Sequence, residues 1–169
     1  MPDYRRWLRC LLTVPGIALI SSCSLIWPDT PEPLPADRTV SLRIDAAARV
    51  NTDRAGNTLP VRICVFEISR DDWQPPGLYR NAPCDEAAPD PVMIRQMQHI
   101  LTPGESRRYS FAIPREATRW LLVAAEFHIP GKNKNTVLIN TEVNKNSNVV
   151  VVVRERSLTQ MKVPVSDKP

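Results

Sequence analysis

From residue 39 onward, hydrophobic and polar positions alternate in short blocks separated by turn formers. Residues 39–46 set Val40, Leu42, Ile44 and Ala46 on one face and Thr39, Ser41, Arg43 and Asp45 on the other. A period of two predicts a half-buried strand. Residues 47–60 (AARVNTDRAGNTLP) have no period and hold the turn formers Asn51, Asp53, Gly56 and Asn57. This is longer than a hairpin needs, so the loop is expected to be functional or mobile. Residues 61–68 (VRICVFEI) form a second strand, apolar on both sides: Val61, Ile63 and Val65 against Cys64, Phe66 and Ile68. Only one face of a sandwich strand lies in the core, so the other needs a cover. Residues 70–98 are the candidate cover. They carry Trp73, Pro75-Pro76-Gly77, Tyr79, Pro83 and Cys84. Asp90 as N-cap and Pro91 at the first helical position then predict a short helix.

The rest of the chain reads as strands. Residues 98–102 lead into a Pro103-Gly104 turn, and 107–113 alternate with Tyr109, Phe111 and Ile113 inward. Residues 118–129 (TRWLLVAAEFHI) are long and apolar enough to be central, and 136–143 follow a loop at 130–135. Five valines at 149–153 predict a strand buried on both faces. Residues 158–163 alternate as the last strand, and 164–169 fray. The pattern predicts a mainly β fold: a two-sheet antiparallel β-sandwich with a small helical insertion.

The first 38 residues follow other rules. Arg5, Arg6 and Arg9 precede an apolar run from Leu11 to Ile20, which closes on Ser21, Ser22 and Cys23. A basic start, a short apolar core and small residues describe a secretory signal, and the run is half the about 20 residues that a membrane span requires. The Ile20-Ser21-Ser22-Cys23 quartet resembles the bacterial lipobox. That resemblance implies a signal peptide at 1–22, cleavage before Cys23, and a diacylglycerol and an N-acyl chain on that cysteine. The alternatives are an ordinary cleaved signal or an uncut anchor. Two or three acyl chains hold a protein to a bilayer almost permanently. Ser24, rather than aspartate, after the cysteine implies the outer membrane. Pro28, Pro31, Pro33 and Pro35 make residues 23–38 a proline-rich tether with a reach of ~40 Å. The β domain is expected at 39–165, with the insertion at 70–98.

Removal of residues 1–22 leaves 147 residues, enough for one domain and a tether. It also reduces the formal charge from +4 to +2, so the basic balance belongs largely to the signal and implies no nucleic acid. Of the four cysteines, Cys10 leaves with the signal and Cys23 carries lipid. Cys64 and Cys84 remain for a disulfide, the alternative being two separate buried thiols. An insertion lying over the second strand would bring them together. His99 and His128 stand alone, without ligands at metal spacing, and the serines lack a G-x-S-x-G elbow. The five glycines never cluster into a phosphate cradle. An enzyme, a metal and a cofactor are therefore not expected. A binding or scaffold role is left.

The lipobox, the tether, the 47–60 loop and the segments PVRICVFEISRDDW, LTPGESRRYSFAIP and ATRWLLVAAEFHIP come in a set order. In that order they resemble the outer-membrane lipoproteins of type VI secretion systems, the TssJ family, over residues 41–163. This resemblance implies a transthyretin-like sandwich on the periplasmic face of the outer membrane. It also implies a partner, the C-terminal periplasmic domain of the inner-membrane protein TssM. The first interstrand loop would meet that partner through Arg49, Val50, Asn51, Thr52, Asp53, Arg54, Ala55, Gly56 and Asn57. Thr52 departs from the proline common in the family, and the segment at 74–90 is extended. A different reading is a periplasmic ligand- or glycan-binding lipoprotein, with a pocket near Trp73, Tyr79 and Trp120.

Overall fold

The computed structural model describes residues 36–131 and 135–161. The signal segment, Cys23 and most of the tether lie outside the described residues, as do 162–169. Eight strands occur in chain order: β1 (Arg38–Ala46), β2 (Val61–Ile68), β3 (Met93–Leu101), β4 (Ser106–Ile113), β5 (Arg119–Glu126), β6 (Thr136–Thr141), β7 (Ser147–Val153) and β8 (Leu158–Met161). They form two four-stranded sheets, ordered β4-β1-β7-β8 and β3-β2-β5-β6. The fold is mainly β, a two-sheet sandwich.

The alternation in β1 does what its period demands. Val40, Leu42, Ile44 and Ala46 face the second sheet and join Ile63, Val65, Phe111, Leu121, Val123, Phe127 and Val151 in the main core. The cost of ordering these strands is met by that burial, at about 25 cal/mol for each Å² of apolar surface removed from water.

Four features correct the sequence reading. First, the sandwich is not wholly antiparallel, because β7 lies parallel to β1, with Leu42 opposite Val149 and Ala46 opposite Val153. The chain crosses between sheets before β7, so the pairing follows position rather than adjacency in sequence. Second, no helix begins at Asp90. Asp90 Oδ1 instead accepts from the Val92 amide at 2.7 Å, and β3 starts at Met93. The Asp-Pro signal caps a turn here, because β2 needs a partner along its second backbone edge and residues 93–101 supply it. The insertion therefore ends six residues earlier than expected, and its only helix is the 3₁₀ turn Leu78–Arg80. Third, the valine run is covered unequally. Val149, Val151 and Val153 enter the main core; on the opposite face Val150 is buried as expected, while Val152 is half-exposed.

Fourth, Arg38 belongs to β1 rather than to the tether and is fully buried. Its Nη2 donates to the Ala117 carbonyl at 2.8 Å and to Thr141 Oγ1 at 3.2 Å. Burial, reinforced by Arg119, pulls its pKa below the usual guanidinium value, and Glu67 opposes that shift. Glu67 is itself nearly buried, between Arg95 at 3.7 Å and Arg119 at 3.8 Å.

The outer face of β2 carries a second apolar cluster. Cys64, Phe66 and Ile68 pack with Cys84, Leu122 and Ala124, and Trp73, Val92, Met93 and Trp120 lie against them. Trp73 sits 5.2 Å from Phe66, ring to ring, and its Nε1 donates to Asp90 Oδ2 at 2.9 Å. Cys64 and Cys84 form a disulfide with their Cα atoms 5.3 Å apart. Arg62 closes the rim: its Nη2 donates to the Cys84 carbonyl at 3.0 Å and its Nη1 meets Glu126 at 3.3 Å. A face that would otherwise expose Phe66 to water is thereby buried.

Candidate functional site

The loop between β1 and β2 is built as a root and a tip. Val50 is fully buried and belongs to the main core, which fixes the root. Asn51 follows with φ at 48°, a conformation that asparagine tolerates better than most residues. Its Nδ2 donates to the Pro60 carbonyl at 2.6 Å, and its Oδ1 accepts from the His128 amide at 2.6 Å. The buried Thr52 donates through its amide to the Glu155 carbonyl at 3.3 Å, tying the loop to the β7–β8 turn. Ala47 donates likewise to Val153 at 2.8 Å.

The tip is closed by Asp53. Its Oδ1 accepts from the Asn57 amide and its Oδ2 from the Asn57 side chain, both at 2.9 Å. The Asn57 side-chain bond, then its backbone bond, holds the Asp53 pKa below the ordinary carboxylate value. Gly56 turns the chain with φ at 86°, a region that a side chain would strain. Val50, Asn51 and Thr52 are thus committed to the fold. Arg49, Arg54, Ala55, Gly56 and Asn57 are exposed, and Asp53 is half-buried.

Other parts of the chain reach the same end of the sandwich. Arg49 pairs with Glu155 at 3.0 Å beside Arg154 and Arg156. An open cleft of about 1030 Å³ runs between Arg49, Gly131 and that turn. A Cβ on Gly131 would lie 2.4 Å from the Arg156 carbonyl oxygen, so only glycine allows so close an approach. The charge pattern Arg154-Glu155-Arg156 was the available signal, but its proximity to the first loop is a property of the topology.

His99 and the insertion carboxylates Asp72 and Asp85 are engaged in bonds within the fold. His99 Nε2 bonds Glu105 at 3.0 Å, and Glu105 also accepts from the amide and hydroxyl of Thr102, both at 3.0 Å. These bonds, the Thr102 amide foremost, lower its pKa to about 2. Asp72 bonds Arg70, and Asp85 meets Arg62. Among the described residues no three or more His, Cys, Asp or Glu side chains gather where a metal could sit. The pocket that the ligand-binding reading places near Trp73, Tyr79 and Trp120 is not formed by these three residues together. The cavity beside Trp73 holds about 140 Å³ and includes neither Tyr79 nor Trp120. Small-molecule sites ordinarily span roughly 300–1,000 Å³.

The family model described as "Type VI secretion lipoprotein, VasD, EvfM, TssJ, VC_A0113" matches residues 38–156. No curated protein gives a match to the sequence. Among solved structures, the type VI secretion lipoprotein TssJ1 from Pseudomonas aeruginosa aligns with a TM-score of 0.63 and 18% identity. That alignment covers 76% of this chain and 98% of TssJ1. A chain in a structure of the T6SS protein TssM C-terminal domain from EAEC aligns with a TM-score of 0.57 and 23% identity, over 75% of this chain and 99% of that one. Serratia marcescens Lip, a membrane-bound component of the type VI secretion system, aligns with a TM-score of 0.56 and 16% identity, over 73% and 97%. At these identities the three structures establish the shared fold.

Proposed function

The chain belongs to the type VI secretion lipoprotein family, and from that premise we propose that it anchors the secretion membrane complex to the outer membrane. Lipid on Cys23 fixes one end, the sandwich is the rigid body, and the loop 49–57 grips the C-terminal periplasmic domain of TssM. The role is mechanical and needs no reacting group.

The observation that carries this reading is the construction of that loop. A root locked by Val50, Asn51 and Thr52 presents Arg54 and Asn57 on a closed, exposed tip, with the exposed Arg49 flanking the root. A tip already held in one shape loses little conformational entropy on binding, so more of its contact energy appears as affinity. The occurrence of this fold in a TssM C-terminal domain structure supports TssM as the partner. Of the nine loop residues expected to meet it, Val50, Asn51 and Thr52 act as the root.

Two measurements test the proposal. In the first, the lipidated full chain in detergent is titrated with the TssM periplasmic domain. Arg54→Glu is expected to weaken binding about tenfold or more, and unchanged affinity overturns the loop assignment. In the second, Cys23→Ala is expected to leave the outer-membrane fraction while keeping its fold. Retention in that fraction overturns the anchor.

A further inference from the structure

The insertion presents one aromatic residue to solvent. Tyr79 is 90% exposed, far more than any other large hydrophobic among the described residues. Its backbone is nonetheless tightly held. Leu78 donates to the Pro75 carbonyl at 3.0 Å, and Arg80 and Ala82 donate to Gly77 at 3.0 and 2.9 Å. A Cβ on Gly77 would meet the Ala82 carbonyl at 1.8 Å, so this closure requires glycine. Two residues after Ala82, the disulfide ties Cys84 to β2.

This turn is latched to the peptide group that also holds the first loop. Asn81, with φ at 56°, donates from Nδ2 to the Phe127 carbonyl at 2.8 Å. The N–H of that peptide group, on His128, donates to Asn51 Oδ1. Two asparagines in left-handed conformations, one from each loop, thus clamp the two sides of a single peptide plane. The 3₁₀ turn and the β1–β2 loop are held in one fixed relation through it.

We infer that Tyr79 is an aromatic anchor of the partner-binding surface, held in fixed relation to the root of the 49–57 loop, and that it enters an apolar socket on the partner. The inference rests on the partner reading above and adds a second contact element to it. A rigid turn that presents a tyrosine gives large contact area for little ordering cost, which is why tyrosine recurs at binding hot spots. Arg80 beside it and Arg54 on the tip are both exposed, so the socket it fits carries carboxylates on its rim.

The test titrates the lipidated full chain in detergent with the TssM periplasmic domain, using Tyr79→Ala, Tyr79→Phe and Arg54→Glu. Tyr79→Ala is expected to weaken binding about tenfold or more, with Tyr79→Phe within about twofold of the parent. Loss on Arg54→Glu with no loss on Tyr79→Ala overturns the anchor and leaves the partner reading intact. No binding by the parent chain overturns the partner reading and the anchor with it. Hydrogen exchange of the parent complex gives a check free of substitutions. Protection at 77–81 together with 53–57 is expected, and protection of the loop alone overturns the inference.

Discussion

Replacing both Cys64 and Cys84 by alanine separates two contributions that the disulfide makes to this domain. The bond closes a loop of 20 residues. By chain-entropy arithmetic that constraint removes about 11 cal/mol/K from the unfolded chain, or about 3 kcal/mol at 25 °C. Both cysteines are fully buried in the cluster on the outer face of β2. Deleting two packed sulfur atoms adds about 1 kcal/mol each. Reduction of the parent chain should therefore cost about 3 kcal/mol and the double alanine variant about 5. With about 2.1 cal/mol/K of unfolding entropy per residue over about 120 ordered residues, these losses lower Tm by about 12 °C and 20 °C. Scanning calorimetry of the oxidised, reduced and double-alanine forms measures all three. Hydrogen exchange should rise first across residues 73–92, which lose their tie to β2. A reduced form within about 1 kcal/mol of the oxidised one would refute the loop-closure argument. Equal losses in the reduced and alanine forms would refute the packing contribution.

Three further outcomes are expected. Glu67→Gln removes the carboxylate that offsets Arg38, Arg95 and Arg119; about 3 kcal/mol should be lost in urea titration, and a cost below 1 would show that the arginines are not compensated there. Asn51→Ala leaves the His128 N–H and the Pro60 carbonyl without their partner and puts alanine at φ 48°; about 2–3 kcal/mol and the fixed shape of the loop should go together, as read by a melt and by exchange at 49–59. Glu105 has a folded pKa of about 2, below its unfolded value near 4.5. Its stabilisation is thus complete above about pH 4.5 and is lost as pH falls towards 2, so the parent should lose stability across that window and Glu105→Gln should lose less.

The strands were legible because a period of two leaves its mark in the residues themselves. Val40, Leu42 and Ile44 cannot face water in a row, so β1 was plain. The two-faced apolar pattern of β2 likewise required a cover, and the insertion with Trp73 provides it. The helix expected at Asp90 failed for a definite reason. An aspartate before a proline caps a turn as well as it starts a helix, and the unpaired edge of β2 decided between them. In the loop at 47–60, the turn formers announced irregular backbone. They did not distinguish Asn51, whose side chain holds the fold together, from Asn57, which closes the exposed tip.

Local chemistry was enough to determine the strand faces and the presence of a long polar loop, because side-chain period and turn preference act over a few residues; the family was reached through the resemblance of ordered motifs and the family match over residues 38–156. The parallel pairing of β1 with β7, the burial of Arg38 and the clamping of the Phe127–His128 peptide by Asn51 and Asn81 were decided only in three dimensions. Each joins groups at least 46 residues apart. Whether such groups meet depends on how two sheets close over one core, which no short stretch of sequence encodes.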